Sequence, residues 1–372
     1  MALAPRETDT AYEIRGYRTG DREGFRSLHE TVYGSELSAE TFDWRYDVPY
    51  LDHAPIVVAD DGANVVGALA LLPSYVRGGD RSVLALQPAN AMVHPEHRRR
   101  GIYSRIIDRA LERYADREPE LFFNFPSPAA KGAHENLGWR EVGRVPIWYR
   151  VHSPSSVLDR GGSSTLGSVL DGGAAALAAA GRRARGRARS DDEIEVRRHD
   201  DVPDALLASL YERSVPDELH VARDRRFYAW RYGTPAWDCA TYVARRGETP
   251  VGAVVAATKG DGDRTTALME SLPLREEDRD PAAVDRLLSS VVRDHRDSTV
   301  LRATGSIAPR RLLLRYGFVP NDLPVVSRIA TPTEMVARPI DAEDPSGWRV
   351  DGRRIDDEDN WRVSLNDQDA PF

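Results

Sequence analysis

Residues 90–112, NAMVHPEHRRRGIYSRIIDRALE, are the stretch from which the fold of this chain can be read. Residues 82–93 cluster apolar side chains as a buried strand does, and Pro95, which has no amide hydrogen to donate, ends the ladder. From Gly101 onward Ile102, Ile106, Ala110 and Leu111, flanked by Ile107 and Arg113, follow helical spacing. The join Arg98-Arg99-Arg100-Gly101-Ile102-Tyr103 is therefore a strand-to-helix turn. Such a turn aims unpaired N–H groups and the positive end of a helix dipole at one spot, here with three arginines beside it. That spot suits a phosphate.

The stretch resembles motif A of the GNAT superfamily of acyl-coenzyme A-dependent N-acetyltransferases: Gln or Arg, two residues, Gly, one residue, then Gly or Ala. Arg98 and Gly101 match, Val93-His94-Pro95-Glu96-His97 looks like the family's lead-in, and Tyr103 departs from the small third position. Asn124 and Leu137-Gly138-Trp139 downstream strengthen the likeness. Without that context the same turn would read as an arginine-rich helix cap on a solvated face.

The resemblance implies acetyl-coenzyme A as co-substrate. Backbone groups of Ala91, Met92 and Val93 would take the pantetheine and the thioester oxygen, with the Val93 region supplying the oxyanion donor. The amides of Arg99, Arg100, Gly101, Ile102, Tyr103 and Ser104, with the guanidinium groups of Arg98 and its neighbours, would hold the pyrophosphate. Asn124 either partners the pantetheine amides or caps the turn at Pro126. Where the family often carries a tyrosine that protonates the leaving thiolate, this chain has His134. It either supplies that proton or packs the helix while water does so. Glu30, Glu36, Asp43 and His94 are unranked candidates for a general base.

The composition is that of a soluble globular protein: 372 residues, 41% apolar, formal charge −8, two lysines against 49 arginines. Such a length predicts two or three domains. An acidic chain is a poor general binder of nucleic acid, and a cationic acceptor would be weakly favoured. Cys239 is the sole cysteine and the nine histidines lack paired ligand spacing, so neither a disulfide nor a metal site is expected. The N-terminus does not read as a signal peptide and no apolar run reaches the roughly 20 residues of a membrane span. A cytoplasmic enzyme is the default, and the oligomeric state is left open.

Read in order, residues 12–18 form a strand, 21–33 a helix, and Ser38 caps a short helix carrying Phe42, Trp44 and Tyr46. Two strands, 55–59 and 64–75, turn at Asp60-Asp61-Gly62. After the strand and helix already described come a strand at 121–125, a helix at 129–137 closed by Gly138, and strands over 140–151. That is the GNAT order.

Residues 153–193 change character, rich in Ser, Gly and Ala and then in arginine over 182–189; a linker is expected. Beyond it the chain echoes itself. Phe42-Asp43-Trp44-Arg45-Tyr46-Asp47-Val48-Pro49 aligns with Tyr228-Ala229-Trp230-Arg231-Tyr232-Gly233-Thr234-Pro235, Val66-Gly67-Ala68 with Val251-Gly252-Ala253, and Leu137-Gly138-Trp139 with Tyr316-Gly317-Phe318. Where the second phosphate turn should lie stands Arg275-Glu276-Glu277-Asp278-Arg279-Asp280-Pro281, which has no glycine, and its carboxylates would repel a pyrophosphate. Leu313 replaces His134.

The expectation is an α+β protein of two tandem GNAT-like domains, each a mixed, mainly antiparallel sheet flanked by helices. Residues 1–152 would bind acyl-coenzyme A, 153–193 link, 194–330 form a degenerate copy, and 331–372 pack on both. Residues 361–365 could add a strand, and the carboxylate of Phe372 is a conceivable participant by likeness to Eis-like acetyltransferases. The expected activity is acetyl transfer to a primary amine of an amino sugar, a small amine or a protein. A non-catalytic acyl-coenzyme A-binding regulator is the alternative. Nucleic-acid binding through residues 182–189 ranks last.

Overall fold

Two mixed sheets take up the apolar runs. The computed structural model describes residues 12–152, 193–260, 264–322 and 333–369. The first half follows the expected order: β1 (Glu13–Gly16), α1 (Arg22–Tyr33), α2 (Ala39–Tyr46), β2 (Ile56–Asp60), β3 (Val65–Gly78), β4 (Arg81–Val93), α3 (Ile102–Tyr114), β5 (Leu121–Asn124), α4 (Pro128–Asn136), β6 (Arg140–Val145) and β7 (Ile147–Val151). The second half runs β8 (Ile194–His199), α5 (Asp204–Glu212), β9 (His220–Val221), α6 (Arg225–Tyr232), β10 (Asp238–Arg246), β11 (Thr249–Lys259), β12 (Thr265–Leu272), α7 (Pro281–Asp294), β13 (Val300–Thr304), α8 (Arg310–Arg315), β14 (Val319–Pro320) and β15 (Thr333–Pro339). A small ribbon, β16 (Arg349–Val350) and β17 (Arg353–Arg354), follows.

The sheets have matching strand orders, β1-β2-β3-β4-β5-β15-β6 and β8-β10-β11-β12-β13-β7-β14, with β9 added beside β3. Each is antiparallel except at one parallel pair, β4 with β5 and β12 with β13. Each also holds a strand from the other half of the chain. β15 lies between β5 and β6, pairing Val336 with Asn124 and Glu334 with Arg144. β7 lies between β13 and β14, pairing Tyr149 with Arg302 and with Val319. The boundaries expected at 152 and 331 therefore cut across the sheets. Residues 147–151 belong to the second sheet and residues 333–339 to the first.

The added strand expected over 361–365 does not form. Trp361 makes a single bridge to Leu219, and a short 3-10 turn, Leu365–Asp367, follows. The reason is Asp367, which is drawn inward by Arg223 at 2.6 Å and closes a capping box with Ser364. Arg223 also pairs with Glu270, so the tail is tied to β12 through buried charges.

The echoed helices form as an equivalent pair. α2 and α6 each span eight residues and open on a cap, Ser38 accepting from Thr41 N–H and Asp224 from Phe227 N–H. Trp44 and Trp230 stack at 6.1 Å, and each indole N–H donates to the other's backbone carbonyl, at 2.6 and 3.1 Å. One apolar cluster crosses between the halves, joining Leu121, Phe123 and Ile147 to Leu207, Tyr228, Val255 and Leu365. α3 rests on β2 and β3 through Ile102 and Ile106, whose side chains fill the space that a Cβ on Gly67 would take. This contact fixes the start of α3 beside the end of β4.

Candidate active site

The site grows from a local fault in β4. Ala70 pairs with Ala89 but Ala68 with Met92, so β4 carries one extra residue, and Asn90 takes a positive φ of 46° to hold it. The bulge leaves Ala91 exposed while Met92 stays buried. His94 gives its N–H to Val66 across to β3, so the backbone of Val93 turns to the other side, where its carbonyl accepts Arg98 Nε at 3.1 Å. On that side β4 pairs with β5 only at Ala85↔Leu121 and Leu86↔Phe122. Beyond Leu86 the strands part, which leaves the backbone of residues 87–93 without a sheet partner on that side.

At the outer end of this opening lies the turn into α3. Arg99 and Gly101 both adopt left-handed backbone, φ 63° and 72°. Gly101 has no side chain with which to cap the helix, and a Cβ built there would meet nothing within 4 Å. The amides of Ile102, Tyr103 and Ser104 precede the first helical hydrogen bond, Arg105 N–H to Gly101 carbonyl at 3.1 Å, and so remain free. Arg98, Arg99 and Arg100 are exposed around them. Arg100 is braced by the Tyr12 hydroxyl at 2.8 Å and the Glu96 carbonyl at 3.1 Å. Arg99 makes no hydrogen bond or ion pair with a described residue, so its charge is available. Tyr103 turns its ring into the core cluster and towards His134, centroids 6.5 Å apart, rather than over the Gly101 face. Burial pushes its hydroxyl up to about 12, so it stays protonated.

Asn124 ends β5 on the far side of the opening. Its Oδ1 accepts Phe125 N–H at 2.8 Å and its Nδ2 donates to His134 Nε2 at 3.2 Å. His134 Nδ1 donates to the Ala130 carbonyl at 2.9 Å, and Trp139 packs edge-on at 4.8 Å. His134 is 2% exposed and burial lowers its pKa. It is thus a neutral imidazole whose only acceptor nitrogen is already engaged. This geometry fits the packing alternative weighed for His134 better than the acid role. Of the base candidates, Asp43 pairs with Arg22 at 2.6 Å and Glu36 with Arg26 at 3.1 Å, while His94 Nδ1 takes the Glu96 N–H at 3.3 Å.

The equivalent place in the second sheet is built differently. Asp280 Oδ1 takes the N–H groups of Ala282 and Ala283 at 2.8 and 3.2 Å, so the first turn of α7 is capped by its own carboxylate, which Arg246 also contacts. Where β12 and β13 would part, the buried Arg279 guanidinium bonds to the carbonyls of Ser271, Pro273 and Leu274 on one side and of Ser306 and Ile307 on the other. Ser306 also donates to Val363 of the tail at 2.9 Å. Carboxylate and guanidinium thus occupy the amides and the strand gap of the second sheet, while a groove between α7 and α8, lined by Arg279, Ala282 and Leu312, stays open beside them.

Sequence reasoning missed three residues at the mouth of the first opening. Tyr33 donates to the Ala91 carbonyl at 3.3 Å, and Arg45 approaches Asp369. The signal was present in the echoed Trp-Arg-Tyr. Arg45 and its counterpart Arg231 both reach tail carbonyls, of Asp369 at 3.4 Å and Gln368 at 2.6 Å. The arginines of 182–189 and the carboxylate of Phe372 lie outside the described residues. Among the described residues there is no cluster of metal-ligating side chains, and no helix is long and apolar enough to cross a membrane.

Solved structures of low sequence identity share this fold. No curated protein matches the chain. A GCN5-related N-acetyltransferase from Anabaena variabilis shares 12% identity over 88% of this chain and 73% of its own, TM-score 0.57. A probable N-acyltransferase from Enterococcus faecalis shares 10% over 89% and 73%, TM-score 0.62. Eis1 from Mycobacterium abscessus shares 16% over 89% and 74%, TM-score 0.52. At these identities the likeness is one of fold. The family model described as an acetyltransferase (GNAT) domain matches residues 13–142, the segment that carries β4, the turn and α3. Residues 13–142 of this chain are therefore similar to an acetyltransferase domain of the GNAT type.

Proposed function

We propose that this chain transfers an acetyl group from acetyl-coenzyme A to a primary amine, and that the first opening alone performs the reaction. The observation that carries this reading is the contrast between the two turns: Gly101 leaves the N-terminal amides of α3 free, whereas Asp280 occupies those of α7. Coenzyme A fits the residues present. Its diphosphate would lie against the amides of Ile102, Tyr103 and Ser104 with Arg98, Arg99 and Arg100 around it. Its pantetheine arm would run along the unpaired edge of Ala91, Met92 and Val93, facing Asn124. When bound, the cofactor supplies an activated thioester.

The chain's own part is to hold that thioester and exclude competing partners. The Val93 N–H, on the open side of β4, stabilises the oxyanion that forms when the amine attacks; one preorganised donor of this kind is worth about 3 kcal/mol. The ammonium sheds one proton to solvent, the nitrogen lone pair forms the C–N bond, and the C–S bond breaks. The second amine proton ends on the sulfur. His134 acts as a positioning residue, orienting Asn124 through Nε2.

The second half supports the first without a donor site of its own. Matching strand orders, equivalent α2 and α6, and the reciprocal tryptophan bonds support a duplicated origin. Arg279 and Asp280 support loss of the second cofactor site. The engaged His134 is the specific observation favouring a non-catalytic acyl-coenzyme A-binding regulator instead.

Titrating acetyl-coenzyme A into the full chain, then following thiol release with a panel of amines, separates the readings. One-site binding that weakens at least tenfold in Gly101→Val, with amine-dependent thiol release, is the expected result. Binding without product favours the regulator, and binding indifferent to Gly101→Val removes the basis of both.

A further inference from the structure

Three segments far apart in sequence meet at the mouth beside Ala91. Tyr33, the last residue of α1, is half exposed and donates to the Ala91 carbonyl. Arg45 of α2, its side chain 13% exposed, holds Asp369 of the tail in a long ion pair: Nη2 donates to the Asp369 carbonyl at 3.4 Å and lies 3.6 Å from Oδ2. A charge-assisted contact between such groups closes to about 2.8 Å when nothing holds the partners apart. Arg45 Nε has no hydrogen-bond partner among the described residues, and the Tyr46 hydroxyl, 3% exposed, lies beside the guanidinium without an aligned bond. The charges of Asp369 and Arg45 both bear on the Tyr33 hydroxyl, so the pair stands at the same mouth as Ala91.

A guanidinium and a carboxylate in a long ion pair, beside the expected position of a thioester, can open to a molecule that carries both charges. We propose that the acceptor is a zwitterion, an amino acid or a small molecule keeping a free amino-acid head group. This assignment rests on the acetyl-transfer reading above. Arg45 binds the acceptor's carboxylate, Asp369 receives its ammonium, and the Tyr33 ring forms the wall past which the side chain leaves. The nitrogen loses one proton to solvent, attacks the thioester carbon and yields the N-acetyl product and free thiol. An amine without a carboxylate leaves Arg45 unfilled, and a diamine sets a second cation against it. Burying a charge without its partner is what makes the discrimination large.

The test uses the full chain saturated with acetyl-coenzyme A and matched probes: leucine against isoamylamine, phenylalanine against phenethylamine, lysine against cadaverine. Each amino acid is expected to exceed its decarboxylated counterpart in kcat/KM by at least tenfold, the order of one charge-assisted hydrogen bond. Arg45→Gln should erase that gap by lowering the amino-acid rates far more than the amine rates, and Arg45→Lys should restore part of it; thermal melting verifies that both variants fold. Equal or faster turnover of the decarboxylated amines overturns the proposal, as does a gap that survives Arg45→Gln. Intact acetyl-coenzyme A binding with no turnover of any amino acid overturns the zwitterion assignment alone. Failure to bind acetyl-coenzyme A at all removes the donor reading instead.

Discussion

Burial sets four histidines of this protein against protonation. Burial lowers the pKa of His134 and His295, takes His152 to about 4 and takes His220 to about 3. In the unfolded chain each titrates near 6.5. The unfolded state therefore binds more protons below that value, so this part of the stability is complete above pH 6.5 and is lost as pH falls through the folded values. Each such group contributes a slope of about 1.4 kcal/mol per pH unit within its window. For His220, which bonds the Tyr211 hydroxyl and the Glu218 carbonyl, the window runs from about 6.5 down to about 3. The melting temperature should fall on acidification below 6.5, and His220→Gln should flatten that fall by the equivalent of one proton. An unchanged slope in the variant would show that its imidazole is not held neutral. At this scale the sequence was informative only where backbone dictates chemistry. Gly101 announced the turn because a left-handed helix start without a cap needs glycine. His134 did not announce its role, because that depends on Asn124 and Ala130, which only the folded chain brings to its two nitrogens.

Among the elements, the helices of the first half were legible from apolar spacing, as were β2, β3 and β4 from their runs. β7 and β15 were harder to place. Ile147-Trp148-Tyr149-Arg150-Val151 and Thr333-Glu334-Met335-Val336-Ala337-Arg338-Pro339 are ordinary interior strands, and nothing local in either says which sheet will take it. The α7 cap was hidden for another reason. Among the acidic side chains of residues 276–280 charge repulsion is the visible property, whereas the decisive one is the aim of Asp280 at two amides. Asp280→Ala should cost about 1 kcal/mol of stability as a lost cap, more if the Arg246 pair contributes. Because Arg279 still spans the second opening, the variant should bind no second equivalent of acetyl-coenzyme A. Calorimetric stoichiometry above one per chain would refute that.

For the molecule as a whole, the strand exchange makes the halves interdependent. A protease site engineered between residues 153 and 192 gives a sharp test. After cutting, each fragment still holds a strand inside the other's sheet, so the two should co-elute as one species under native conditions and separate only on denaturation. Two folded species of half size would contradict the strand order. The likeness of α2 to α6 was legible in the Trp-Arg-Tyr echo, since both halves keep the residues that meet at Trp44 and Trp230. The exchange was not legible, because two echoed halves fold equally well on paper with each strand kept at home.

The placement of β15 also sets a timetable for synthesis. A ribosome makes the turn at Gly101 long before β15, so the sheet behind that turn lacks an interior strand until residue 339 has emerged. N-terminal units commonly fold first as they leave the ribosome. Here the early half must wait, with the edges of β5 and β6 open to misplaced pairing, until β15 has been made. Premature release near residue 330 would thus leave a first half that cannot close its own sheet, and quality-control proteases would meet it as an exposed edge.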